Sequence, residues 1–223
     1  MTWLVALLFS FAFAADPPLA ARALPGPPSQ VELRSAATRP INAWVFAISS
    51  PNPSGGIHRV FHSSDVYMSD VTGGLQGAEP HLRVLQPGES RAVPVDPFPS
   101  DATVQVVAVV FDDNSAYGDE QTIAGIFEKR VIERDQLKEV VDMFTDSLQS
   151  EPGPATLLDL KRRFDGGAVG PESAAHRSAR LAVDAFLQRA VENREDVIPA
   201  FRTYVWFVKT QYEAAAKHAQ RKT

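Results

Sequence analysis

The hydrophobic period of this chain changes once, near residue 119, and that change limits the architectures open to it. Upstream, β-branched and aromatic runs are cut by Pro, Gly, Asn and Ser. Six of them, at residues 31–35, 41–49, 57–62, 82–85, 90–95 and 103–111, have the length and punctuation of strands. Short strands separated by turn signals predict an antiparallel β-sandwich. Along 41–49, Ala43, Val45 and Ala47 alternate with Trp44, Phe46 and Ile48, so both faces of that strand are apolar and both need cover. Residues 103–111 (TVQVVAVVF) are apolar almost throughout, the pattern of a central strand buried on two sides.

Downstream, apolar residues recur at steps of three and four. Residues 119–223 hold 16 basic and 17 acidic side chains, and no lysine precedes Lys129. That charge density marks the solvated faces of amphipathic helices. Ile123, Phe127, Val131, Leu137, Val141 and Phe144 form one stripe and predict a single long helix over 119–149. Pro154 opens a short second helix to about Phe164, stopped by Gly166 and Gly167. A third begins at Ser173 and carries Leu181, Val183, Phe186 and Leu187. The fourth takes Asp196 as its N-cap with Pro199 at the third helical position, and carries Phe201, Tyr204, Val205 and Val208. The fold class expected is α+β: a sandwich over 31–118, about four helices over 119–219, and a polar tail at 220–223. No Pro/Gly/Ser linker stands at the junction, so the long helix is expected to pack onto the sandwich.

Residues 1–14 (MTWLVALLFSFAFA) form an uncharged apolar run closed by the small-x-small set Ala12-Phe13-Ala14. They read as a secretory signal peptide cleaved after Ala14, which makes the mature chain secreted or periplasmic. The run falls short of the ~20 residues that a spanning helix needs, so no permanent membrane span is expected after cleavage. Residues 15–30 contain five prolines and no apolar periodicity, the composition of an extended linker outside the core. The chain has no cysteine, which removes disulfides, thiolate nucleophiles, a lipobox and Cys-ligated zinc together. A net charge of −5 leaves no basic excess to neutralise phosphates, which argues against a nucleic-acid partner.

Few residue groups carry chemistry. His58 and His62 share one face if residues 57–62 are a strand, with Asp65 nearby as a third ligand, but a strand sets the imidazoles ~13 Å apart. They therefore read as edge histidines. Residues 112–120 (DDNSAYGDE) gather four carboxylates with the density of a calcium loop. The ligand spacing fails at Ala116 and Tyr117, so the segment reads as a turn whose Asp119 and Glu120 face a helix N-terminus. Ser63, Ser64, Asp65 and His62 are sequence neighbours, which does not make a triad. Lys161-Arg162-Arg163 reads as a solvated face, and Tyr204, Trp206, Phe207 and Tyr212 as helix core with room for a partner surface. No Gly-x-Ser-x-Gly, Walker A, Gly-x-Gly-x-x-Gly or His-Glu-x-x-His pattern occurs. Catalytic, cofactor-binding and metal residues are accordingly assigned to none.

Two motifs carry a family resemblance. Val31-Glu-Leu-Arg-Ser35 followed by Arg39-Pro-Ile-Asn-Ala-Trp44, and later Leu85-Gln-Pro-Gly-Glu-Ser-Arg91, resemble small exported bacterial β-sandwich domains over about residues 31–111. The resemblance implies an Ig-like fold and a binding role, and it transfers no catalytic residue. The expected function is that of an exported, non-catalytic binding or structural protein of the bacterial envelope. A protein partner would dock through the sandwich edge or the long helix, or the helices would self-associate. The rival is a hydrolase with a site between sandwich and helices.

Overall fold

The computed structural model describes residues 17–24, 26–52, 54–68, 83–149, 152–166, 174–192 and 195–222; the expected signal peptide lies outside them. Among the described residues seven strands come first, β1 (Leu19–Leu24), β2 (Gln30–Ser35), β3 (Ile41–Pro51), β4 (Ile57–Asp65), β5 (Ser90–Pro94), β6 (Thr103–Phe111) and β7 (Ala116–Gly118), with one helical turn at 66–68 after β4. Four helices follow, α1 (Glu120–Ser147), α2 (Pro154–Gly166), α3 (Ala174–Glu192) and α4 (Ile198–His218). The fold is mixed α+β with its helical region C-terminal. Among the described residues no helix is long and apolar enough to cross a membrane.

The strands form two antiparallel sheets, one ordered β1-β2-β5 and the other β4-β3-β6-β7. Leu19, Val31 and Leu33 of the first share a buried cluster with Trp44, Phe46, Ile48, Val109 and Phe111 of the second. β1 corrects the expectation of a linker. Residues 19–24 pair with β2 through six consecutive residues, and Leu19 is buried. The prolines that suggested a linker lie outside the strand: Pro17 and Pro18 precede it, and Pro27 and Pro28 sit in the connection to β2. Of the expected strand at 82–85, Leu82 falls outside the described residues, and Leu85 makes a single bridge to Ile41.

The quoted motifs have local physical causes. In Gln86-Pro-Gly-Glu89 the Glu89 N–H donates to Gln86 O at 3.0 Å, and Gly88 sits at φ +76°, open to glycine at little cost. The Glu89 carboxylate accepts from the Gln86 N–H, which holds its pKa below the usual range. Arg39 lies over the Phe111 ring at 4.3 Å and donates to Asp113 and Ser115, so Arg39-Pro40 fixes the turn after β6.

α1 starts where Asp119 accepts from the Thr122 N–H (2.8 Å) and hydroxyl (2.7 Å). At 28 residues it is ~42 Å long. Its first turns place Ile123 and Phe127 on Ala43, Val45, Ala108 and Val110, the outer face of the four-stranded sheet. Its later turns place Leu137, Val140, Val141 and Phe144 among α2, α3 and α4. One helix thus serves two cores, and β3 is covered on both faces as its alternation requires. α4 departs slightly from expectation. Its cap is Val197, and Pro199 lies in the first two helical positions; Asp196 instead accepts from the Ile198 N–H.

Candidate functional site

The outer face of the four-stranded sheet is only partly covered. Beside α1 an open groove of about 1490 Å³ remains. Strand parity decides what enters it. Arg59, Phe61, Ser63 and Asp65 of β4 stand opposite Ser49, Ala47, Val45 and Ala43 of β3, the residues turned away from the inner core. Val45 and Val107 supply apolar surface, while α1 contributes Thr122, Gly125, Ile126 and Lys129. Arg59 donates to Gln105 at 3.2 Å and lies over the Phe61 ring at 5.2 Å. A side-chain carbon added at Gly125 would meet nothing within 4 Å, so no packing requires glycine there. Glycine in a helix interior costs about 1 kcal/mol against alanine.

Asp65 also belongs to a buried polar cluster that joins the two halves. The Arg130 guanidinium donates to both Asp65 oxygens (2.7 and 3.0 Å), to Asn42 Oδ1 (2.9 Å) and to the His218 carbonyl (3.2 Å). Asn42 sits at a register irregularity between β3 and β6, and its amide donates to Phe111 O. The bulge re-aims this side chain at the helix. The His218 ring stacks on Tyr67 with centroids 3.6 Å apart, and Tyr67 donates to Asp112 at 2.6 Å. Burial and the Asp112 carboxylate push the Tyr67 phenol up, while burial lowers His218 to about 4. His218 Nδ1 lies 3.0 Å from Asn114 Oδ1.

Four of the five N–H donors of the Arg130 guanidinium are satisfied internally, so this cluster is a joint. Two residues of the expected polar tail take part. Arg221 grips Glu120 through two contacts of 2.6 and 3.0 Å, and Lys222 pairs with Asp113 at 3.2 Å.

The other residue groups disperse. His58 and His62 occupy the β4 face opposite Asp65, and His62 stacks on Phe46 at 5.2 Å. Ser63 faces the groove and His62 the inner side, so no triad assembles from these neighbours. The carboxylates of 112–120 each take a different partner: Tyr67 for Asp112, Ser115, Arg39 and Lys222 for Asp113, the helix cap for Asp119, Arg221 for Glu120. Asp113, with its hydroxyl and two cations, is held well below the usual carboxylate range. Lys161 bonds to Asp184 on α3. Tyr204, Phe207 and Tyr212 pack on the helical core, but Trp206 is 67% exposed.

Arg130, Asn42, His218 and Gly125 were not foreseen as structural or groove residues. Their signal was a polar residue on an apolar stripe: Arg130 lies three residues after Phe127 on the face that resumes at Leu137. Comparison with protein-family models, curated proteins and solved structures finds no match for this chain.

Proposed function

We propose that this chain is an exported, non-catalytic binding protein of the cell envelope, with an Ig-like sandwich that captures a partner in the groove beside α1. The Ig-like reading is supported by strand order. The first, second and fifth strands share one sheet and the third, fourth, sixth and seventh the other; strands A, B, E and C, F, G divide in that way in that fold, and the fourth strand stands beside the third as C′ does in its variable type. Export rests on residues 1–14, and an N-terminal mass beginning at Ala15 would support it; retention of Met1 would refute it.

The observation that carries the binding role is Gly125. A residue that weakens its own helix, where a methyl would fit, keeps the groove wide. A catalytic reading finds less support, because the groove's carboxylates are already engaged, Asp65 with Arg130 and Asp119 with the α1 N-terminus. The test is site-directed photo-crosslinking in the native envelope from position 121, on the groove wall, and from position 202, exposed on α4. An adduct from position 121 alone, abolished by Gly125→Leu without any loss of unfolding stability, is the expected result. Equal adducts from both positions, or none from 121, would refute the assignment.

A further inference from the structure

Resting on that reading, we infer that the groove's partner is an extended, carboxylate-bearing polypeptide segment that adds as a strand to the free edge of β4. Four edges end the two sheets, and they differ. β7 has three residues, β5 has five and ends in Pro94, and β1 has six. β4 has nine, pairs with β3 without a register break, and contains neither Pro nor Gly. Edges of native sheets are commonly shortened, bulged or interrupted by proline, devices that block pairing with another chain. β4 has none of these, and among the described residues no strand pairs with its outer side. Ile57 is 77% and Phe61 57% exposed on its Arg59 face, and Val60 is 39% exposed on the other. Apolar side chains on both faces of an unpaired edge suit strand addition, in which main-chain bonds give affinity and alternate side chains give selectivity.

Charge supplies the second half of the inference. The chain as a whole carries −5, yet this groove holds Arg59 and Lys129, neither with an ion-pair partner among the described residues. Arg59 spends one donor on Gln105 and keeps others free. Of the carboxylates beside them, Asp65 is held by Arg130 from below, and Asp119 faces its own helix N-terminus. A strand laid along β4 would project every second side chain to the Arg59 face. Carboxylates there would meet uncompensated cations, and lysines would meet like charge.

The test uses the mature chain and three synthetic nine-residue peptides alternating Val with Glu, Gln or Lys, with affinity measured by titration calorimetry. Two part-exposed ion pairs are worth about tenfold, so the Glu peptide should bind about tenfold more tightly than the Gln peptide, and the Lys peptide more weakly still. Added salt should erase the difference. N-methylating alternate amides on the pairing side should abolish binding. The double variant Arg59→Gln, Lys129→Gln changes two exposed residues, so the fold should survive, and Glu and Gln peptides should then bind alike. A Glu preference that survives the double variant, equal binding of Glu and Gln peptides by the unaltered chain, or no binding of any peptide would overturn the inference. In each case a persistent crosslink from position 121 would leave the binding role standing, and its loss would remove both.

Discussion

Arg130 of α1 and Asp65 of β4 form a two-point ion pair in which the cation is 2% and the carboxylate 14% exposed. The asymmetry matters more than the contact. Removing one member of a buried pair costs mainly what it takes to leave the other charge unpaired away from water. Asp65→Ala strands a guanidinium that water cannot reach and should cost about 3 to 5 kcal/mol. Arg130→Met leaves a carboxylate bordering an open groove and orphans Asn42 Oδ1, a cost of about 1 to 3 kcal/mol. Urea unfolding of both variants checks the order, and equal or reversed costs would show that the pair is not buried as described.

The buried histidines predict acid sensitivity. Burial depresses both His218 and His176 below the ordinary value of 6.5, His218 to about 4. A folded state that resists protonation loses stability as pH falls below the unfolded value, so stability should decline from pH 6.5 downward, by up to about 3 kcal/mol for His218 alone. Glu133, raised by burial, acts oppositely, gaining as pH falls through its folded value. Unfolding midpoints between pH 7 and 4.5 should therefore flatten in His218→Phe, which keeps a ring against Tyr67 but cannot titrate. An unchanged slope would place the acid response elsewhere.

Two glycines should respond with opposite signs. At Gly118, φ is +120° and an added Cβ would stand 2.2 Å from Val107 O, on the bulged stretch of β6 that also accepts the Asp119 N–H. Gly118→Ala should cost about 3 kcal/mol or more through strain and a shifted strand. Gly125→Ala should stabilise by about 0.5 to 1 kcal/mol, since nothing is displaced. Thermal melts of the pair decide, and a destabilised Gly125→Ala would undo the argument that the groove is kept open at a cost.

Leu19 and Phe127 test the two packing surfaces of the sheets. Leu19→Ala should cost about 2 to 5 kcal/mol, where a linker residue would cost nothing. Phe127→Ala should cost about 3 to 5 kcal/mol and shift one transition shared by sandwich and helices. Two transitions, with only one displaced, would mean the halves fold separately.

The long elements were legible because periodicity reports burial directly. The stripe from Ile123 to Phe144 and the double-faced alternation of 41–49 together imply that α1 lies on the sheet, as it does. β1 was hidden because its six residues, LAARAL, carry little β-branching and stand between prolines; pairing with β2 overrides that composition. β7 was hidden by its brevity. The groove was invisible for a different reason. It is defined by what α1 fails to cover, and the position of a helix on a sheet is set by small residues, Ala43 and Ala108, that read from sequence only as filler. The joint was missed because its members, Asn42, Asp65, Arg130 and His218, are polar residues scattered over the whole chain.

That scatter has an entropic consequence. Asn114 bonds to residues 103 and 104 positions away, at Lys217 and His218. Closing a loop of about a hundred residues costs roughly 3 kcal/mol more entropy than closing a four-residue turn. Most contacts within the sheets and within the helix pairs span less of the chain, so the seam between the halves carries the largest closure cost of the joint. Until residues 217–222 arrive at the turn after β6, Arg130 has lost one acceptor and Tyr67 its stacking partner. The seam therefore behaves as a clasp between the two halves.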